Sequence, residues 1–335
     1  MQYKNAAAHR DHSILHEWKK AATSTNQADP FCCSPAWQLS AYEAFSPQSR
    51  LLTACSGGSV IAFAEHGVSR SAMFLAPIEA QWLFGCPLLG KNAVALLAES
   101  LGGLAKMYAP FFPKIVISGI RPGGALSRRL LQTFGGAFTC YLHSTGLQCA
   151  ASLTGGLDGF LSRRSANHRG KLRKSLRRAE ERGVYFERVK PASAEEARTT
   201  YARMLAVEAA SWKGLGQCGM AESPAKEFYD IMVRRLAATR DARIIFARHE
   251  EKDIGFIFGG MAGKIYRGQQ FSYVAEWKES SIGNLMQVEK VRWLCEEGAR
   301  RYDMGPLDGP RMEYKAHWTE KAAAIQTWVL VKNGT

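Results

Sequence analysis

The sequence predicts a mixed α/β protein of the α+β kind, with helices packed on a mixed sheet, divided into two domains. Three observations predict it. The chain has 335 residues, more than one core usually serves. Its second half holds three consecutive strand-like runs, at 242–249, 253–263 and 265–274, separated by short turns in the pattern of an antiparallel meander. Amphipathic segments with helix start and stop signals lie between such runs in both halves. Hydrophobic residues make up 46% of the chain and charged residues 22%, an ordinary globular balance with enough apolar mass for a sizeable core.

Residues 12–45 predict two helical pieces around a turn, the second opened by Ser34 as N-cap and Pro35 at its first position. Strands follow at 50–56 and 59–67, joined through Gly57-Gly58 as a hairpin. After the turn-rich apolar stretch WLFGCPLLG comes a helix over 91–108, a strand at 114–120 and a helix near 127–134. The expected domains are 1–155 and 156–335. The second opens with a basic helix whose apolar stripe is Leu172, Leu176 and Ala179, at helical spacing, stopped by Gly183. A strand VYFERV precedes Ser193-Ala194-Glu195-Glu196, a capping box that starts a helix with Ala197, Tyr201, Met204, Leu205 and Glu208 on one face. Ser223-Pro224 opens another helix. Past the meander, a helix over 284–300 is expected with Met286, Val288, Val291, Leu294 and Cys295 inward, then a strand RYDMG, a Gly/Pro-rich loop and a last strand at 325–331.

The formal charge is +14, which promotes contact with phosphates or anionic surfaces without specifying a fold. Between Ser162 and Lys190 eleven Arg/Lys stand against three Glu, so that segment alone carries +8. The polar start of the chain has no apolar signal-peptide core, and its longest apolar runs fall far short of the ~20 residues of a spanning helix. The expected location is the cytoplasm. The eight cysteines show no Cys-x-x-Cys spacing, so neither a metal nor a disulfide framework is expected. No Gly-x-Ser-x-Gly elbow supports a serine nucleophile.

The stretch SSIGNLM, Ser280–Met286, lies where a meander ends and a helix begins. Phosphates are held well at such junctions, because glycine lets backbone N–H groups converge on the positive end of a helix. A single glycine before a helix is commonplace, and the preceding meander is what gives it meaning. Together with FLSRRSANHRGKLRKSLRRAEERGV, LAVEAASWKGLGQCG, EFYDIMVRRLAA, RYDMG and MEYKAHWTE, it resembles the GNAT-type acyltransferase domain of CelD/BcsL-like proteins, relatives of the FemABX peptidyltransferases. PFCCSPAWQLSAYEAF and FGCPLLG resemble the leading portion of the same proteins, so the resemblance spans nearly the whole chain. One departure is visible: Ile282 stands where the family's turn has proline.

The resemblance implies tandem GNAT-like domains, the second more complete, and acyl transfer of the EC 2.3 class. The donor would be acyl-CoA, acetyl-CoA first, or, in a FemABX-like reaction, an aminoacyl-tRNA. The acceptor would be an amine or hydroxyl of a small molecule, glycan or peptide. It assigns donor binding to Ser281, Ile282, Gly283, Asn284 and Leu285, with Phe271, Ser272 and Tyr273 as the strand beside the pantetheine arm.

For the base, Asp303 is the first candidate, with a turn-former before Gly305-Pro306 as the competing reading. Lys315, beside Tyr314, corresponds to the family's aromatic–lysine pair and would stabilise an oxyanion or a donor phosphate; a surface lysine is the alternative. Glu313 is a further candidate base. Glu208, a carboxylate on an apolar helix face, needs a partner or a raised pKa, and serves as a base, an acceptor anchor or one half of a salt bridge to the basic helix. Trp212, Lys213 and Trp318 are candidate acceptor contacts, Trp212 competing with a core role. Arg169, Arg173 and Arg177 form one stripe of the basic helix that suits a polyanion, the remaining charge reading as a solvated face. A non-enzymatic RNA-binding module around that helix is the third reading, and no RNP, KH or zinc-knuckle signature accompanies it.

Overall fold

The computed structural model describes residues 12–216, 219–307, 309–320 and 322–334. Contacts divide the chain into two units, one built from residues up to Leu147 with those from Ala323 onward, the other from Gln148 to Ala322.

The first unit begins with α1 (His12–Ser24) and α2 (Pro35–Phe45), followed by β1 (Leu51–Ser56), β2 (Ser59–Gly67) and β3 (Met73–Pro77). Leu51 pairs with Ala64 and Ser56 with Ser59 across the β1–β2 turn. Gly57 and Gly58 there have φ of +54° and +71°, the left-handed pair that a two-residue hairpin turn demands. The short β4 (Leu88–Leu89) pairs with β2. Next come α3 (Ala93–Tyr108), β5 (Lys114–Ile120), α4 (Ala125–Phe134) and β6 (Phe138–Ser152), the last crossing into the second unit at residue 148. Trp18, Leu39, Phe63, Leu97, Ile117 and Phe134 are buried in this unit's core.

The second unit continues with α5 (Gly156–Ser162), α6 (Ala166–Glu181), β7 (Tyr185–Val189), α7 (Ala194–Ala209), α8 (Trp212–Leu215) and α9 (Ala225–Ala238). Leu172 and Ala179 of α6 are buried as their spacing predicts. Ser193 caps α7 as expected, its Oγ accepting from the Glu196 N–H at 3.1 Å, while the Glu196 carboxylate reaches one residue past the cap and accepts from the Ala192 N–H at 2.9 Å in place of the Ser193 N–H of a capping box. The expected meander is β8 (Ala242–His249), β9 (Lys252–Ala262) and β10 (Ile265–Tyr273), after which a 3₁₀ turn (Ala275–Ser280) leads into α10 (Ile282–Glu296). β11 (Arg301–Pro306) and a 3₁₀ segment (Pro310–His317) follow.

The last strand, β12 (Ala323–Lys332), corrects the expected domain arrangement. It pairs antiparallel with β5, Val329 opposite Val116, and so belongs to the first unit. The second unit has its equivalent place filled by the end of β6, antiparallel to β11 with Ser152 opposite Arg301. Each unit is thus an antiparallel meander, a helix, a strand parallel to the third of the meander and a final antiparallel strand from the other half of the sequence. That repeated topology, not residue identity, is the internal repeat. Among the described residues no helix is long and apolar enough to cross a membrane.

Candidate functional site

Strands β10 and β11 pair in parallel only over Ile265–Arg267 and Arg301–Asp303. Beyond Arg267, β10 keeps its partner β9, through a register shift between Gly268 and Gln270, as far as Tyr273. The β11 side of β10 is therefore open over its last residues, and a cleft of about 660 Å³ occupies the gap. Phe271, Ser272 and Tyr273 line it from β10, Tyr302 and Met304 from β11.

The start of α10 closes one end. Ser281 has φ +56°, a left-handed N-cap, and its carbonyl accepts from the Leu285 N–H at 3.1 Å. The Leu285 N–H is therefore spent inside the helix, which removes it from the expected donor-binding set. The first-turn N–H groups of Ile282, Gly283 and Asn284 precede the first helical hydrogen bond, and the positive end of the helix dipole lies there. Ile282 and Leu285 are buried, anchoring the helix end, while Ser281, Gly283 and Asn284 face the cleft. Proline at Ile282 would carry no N–H, so this chain has one more backbone donor than the family's turn. A Cβ on Gly283 would stand 3.2 Å from the Phe271 ring and 3.3 Å from that of Tyr273; glycine keeps the passage between helix end and strand open.

At the other end stand Tyr314 and Lys315, both lining the cleft. The Lys315 ammonium donates to the Pro306 carbonyl at 2.5 Å. Burial first, then the neighbouring Arg267 charge, pushes its pKa down to about 8. Burial pushes the Tyr314 hydroxyl up to about 12, and the Phe271 and Tyr314 rings meet edge to face at 5.6 Å. Trp212, half exposed, and Lys213 form another wall. Lys213 Nζ donates to the Phe271 carbonyl at 2.8 Å and to Gln270 Oε1 at 3.0 Å.

Several candidates stand apart from this cleft. Asp303 is buried and its carboxylate accepts from Arg301 at 2.6 Å; strand alternation puts it on the face opposite Tyr302 and Met304. Glu208 is buried behind β10, where Oε1 accepts from the Met220 N–H at 3.2 Å and Oε2 from the Ser272 hydroxyl. Glu313 is exposed. Trp318 touches the cleft but is 2% exposed and stacked on Phe160 at 6.3 Å, a core role. Arg169 donates to the Arg164 carbonyl, and Arg173 and Arg177 are exposed, Arg177 with Glu181 at 3.7 Å; none of the three lines the cleft. Sequence reasoning missed Tyr302, Met304, Gln287 and Lys278, which do line it. The period-2 face opposite Asp303 was the signal for the first two. Among the described residues no cluster of three His, Cys, Asp or Glu is placed to hold a metal.

Residues 166–316 match the family model described as Acetyltransferase (GNAT) domain. No curated protein matches the chain by sequence. Among solved structures, that of FemX is 12% identical with a TM-score of 0.67, covering 93% of this chain and 95% of its own. A conserved protein of unknown function from Bacteroides thetaiotaomicron is 9% identical at TM-score 0.65, covering 95% and 97%. L-PGS from Bacillus licheniformis is 16% identical at TM-score 0.55, covering 86% and 85%. Identities this low establish a shared fold, and they do so over both units. The open β10–β11 pair and the helix end beside it lie within residues 166–316, the stretch that matches the GNAT acetyltransferase domain, and together they support a transferase of the EC 2.3 class.

Proposed function

We propose that the protein moves an acyl group from acyl-CoA, acetyl-CoA first, to an amine or hydroxyl of a small-molecule or glycan-like acceptor, by direct attack on the thioester. The observation that carries this reading is the parting of β10 from β11 after Arg267 and Asp303. An extended amide chain such as pantetheine pairs with an open strand edge as a further strand would. A diphosphate suits the N–H groups of Ile282, Gly283 and Asn284. Acyl-CoA carries both groups in one molecule.

In this reading the acceptor attacks the thioester carbonyl and an oxyanion forms. Lys315, charged below about 8, stabilises it. The C–S bond then breaks, the Tyr314 hydroxyl gives its proton to the departing thiolate, and the proton released by the acceptor restores the phenol. Asp303 and Glu208, held by Arg301 and by Ser272 with Met220, serve to position strands β11 and β10.

Transfer from an aminoacyl-tRNA is the second reading, favoured by the +8 carried by Ser162–Lys190 and by distributed Arg on α6. Calorimetry with acetyl-CoA and with charged tRNA separates the two. Gly283→Asp puts a carboxylate against the diphosphate, and like-charge contact costs several kcal/mol, so acetyl-CoA affinity is expected to fall about 100-fold in a protein that still folds. Unchanged affinity refutes the turn as donor site. Binding of charged tRNA alone, abolished by high salt, replaces the first reading with the second.

A further inference from the structure

A second cavity, of about 290 Å³, adjoins the cleft and shares Asn284, Tyr314 and Trp318 with it. Its other walls are Ser165, Asn167, His168 and Lys171, from the start of α6, and His317. Among the described residues no carboxylate lies in its lining. The volume is near the lower end of the ~300–1,000 Å³ typical of small-ligand sites.

Four observations give this cavity a chemistry. The imidazoles of His168 and His317 stack at 5.9 Å with planes 16° apart. The Nε2 atom of His168 is buried and has no hydrogen-bond partner among the described residues, which leaves a ring nitrogen in want of a ligand oxygen. Burial lowers the pKa of His168, and every charge acting on it after burial is positive, from His317, Arg164 and Lys171. Arg164 is already engaged by Glu320 and the Thr319 carbonyl, so Lys171 is the cation left to face the cavity, with the two imidazoles beside it as hydrogen-bonding groups. Finally, Ser165 caps α6, its hydroxyl accepting from the His168 N–H at 3.2 Å, and the N–H groups of Ala166 and Asn167 precede the first helical bond, between the Arg169 N–H and the Ser165 carbonyl at 3.0 Å.

We propose that this cavity is an anion subsite of the cleft, taking a phosphate group carried by one of the two substrates and holding it with Lys171, His168, His317 and the first turn of α6. Cationic side chains, imidazole donors and a helix N-terminus converge on one small volume, which is how proteins bind phosphate monoesters and diesters alike. The subsite stands on its own geometry. Which substrate owns the phosphate rests on the acyl-transfer reading above. The basic helix α6 thereby has a narrower role than that of an RNA-binding module: its first turn recognises one phosphate, and its outer arginines remain solvated.

The test is a titration with inorganic phosphate at fixed pH and ionic strength, chloride serving as control, followed by the imidazole ¹H–¹⁵N signals of His168 and His317. Both signals are expected to shift saturably. Lys171→Gln should weaken phosphate about 10-fold or more, the loss of one charge-assisted contact, whereas Lys174→Gln, exposed on the same helix, should leave it unchanged. Acetyl-CoA added at saturation then names the owner: displacement of phosphate assigns the group to the donor, and simultaneous binding assigns it to the acceptor. Absence of a saturable shift at the two imidazoles, or equal affinity in Lys171→Gln and the parent protein, overturns the subsite. Failure of acetyl-CoA to bind while phosphate still titrates overturns the donor reading and leaves the subsite standing.

Discussion

Lys315→Ala is expected to lower kcat about 10²–10³-fold, the usual cost of removing one donor from a preorganised oxyanion site, with the KM for acetyl-CoA little changed. The pH profile supplies the second half of the prediction. Burial and Arg267 hold the Lys315 pKa near 8 instead of the ordinary 10.5, so the ammonium is present below about 8 and lost above it. A cation that stabilises the oxyanion therefore gives a rate that is flat at neutral pH and falls as pH rises through about 8. Lys315→Arg, which stays charged across this range, should retain part of the activity and lose that falling limb. A lysine acting as base gives the opposite sign, a rate rising through about 8, and that outcome would replace the oxyanion role. Stability gives an internal control. A lysine whose folded pKa is depressed destabilises the fold below that pKa, and the cost fades as pH rises from about 8 towards 10.5. Lys315→Met removes that cost at neutral pH, so its melting temperature should be no lower than that of the parent protein; inactivity there is chemical, not unfolding.

How much of this was legible in the sequence depends on whether the cause is local. The hairpin at Gly57-Gly58, the N-cap at Ser193 and the stop at Gly183, where φ is +71°, are fixed by residues within four positions of one another, and each forms as its local signal predicts. The 15-residue strand β6 went unread because residues 141–147 are exposed, which leaves no apolar alternation to detect. The β5–β12 partnership went unread because Val116 and Val329 meet through long-range pairing that periodicity cannot encode. At the site, glycine before a helix marked from sequence the turn that lines the cleft. The strand pattern of RYDMG revealed two faces without saying which meets the cleft, and Asp303 was singled out where Tyr302 and Met304 are the lining residues. Lys315 was reached through family resemblance alone, since nothing within its own neighbourhood announces that it is 5% exposed and adjacent to Arg267.

Glu208→Ala is expected to cost about 3–5 kcal/mol, because it leaves a buried hydroxyl and a buried backbone N–H without their acceptor. The carboxylate is 0% exposed and its two oxygens hold Ser272 and Met220, which makes it the clamp between the end of α7 and the strand that borders the cleft. The same junction is stitched by the Ser211–Val274 bridge and by the Ala275 N–H donating to the Ala210 carbonyl at 3.0 Å, so loss of the clamp loosens the wall without releasing the strand. Glu208→Gln keeps one carbonyl oxygen as an acceptor and should cost less, about 1–2 kcal/mol. These outcomes separate positioning from proton transfer. A catalytic base replaced by its amide loses kcat with its stability intact, whereas a clamp loses stability first and raises the KM for acetyl-CoA through displacement of Ser272. Ser272→Ala adds the decisive comparison: in a double-mutant cycle with Glu208→Gln, a clamp gives a coupling of about 0.5–3 kcal/mol in chemical denaturation. Additive stabilities, with the whole effect of Glu208→Gln in kcat, would return the carboxylate to the chemistry.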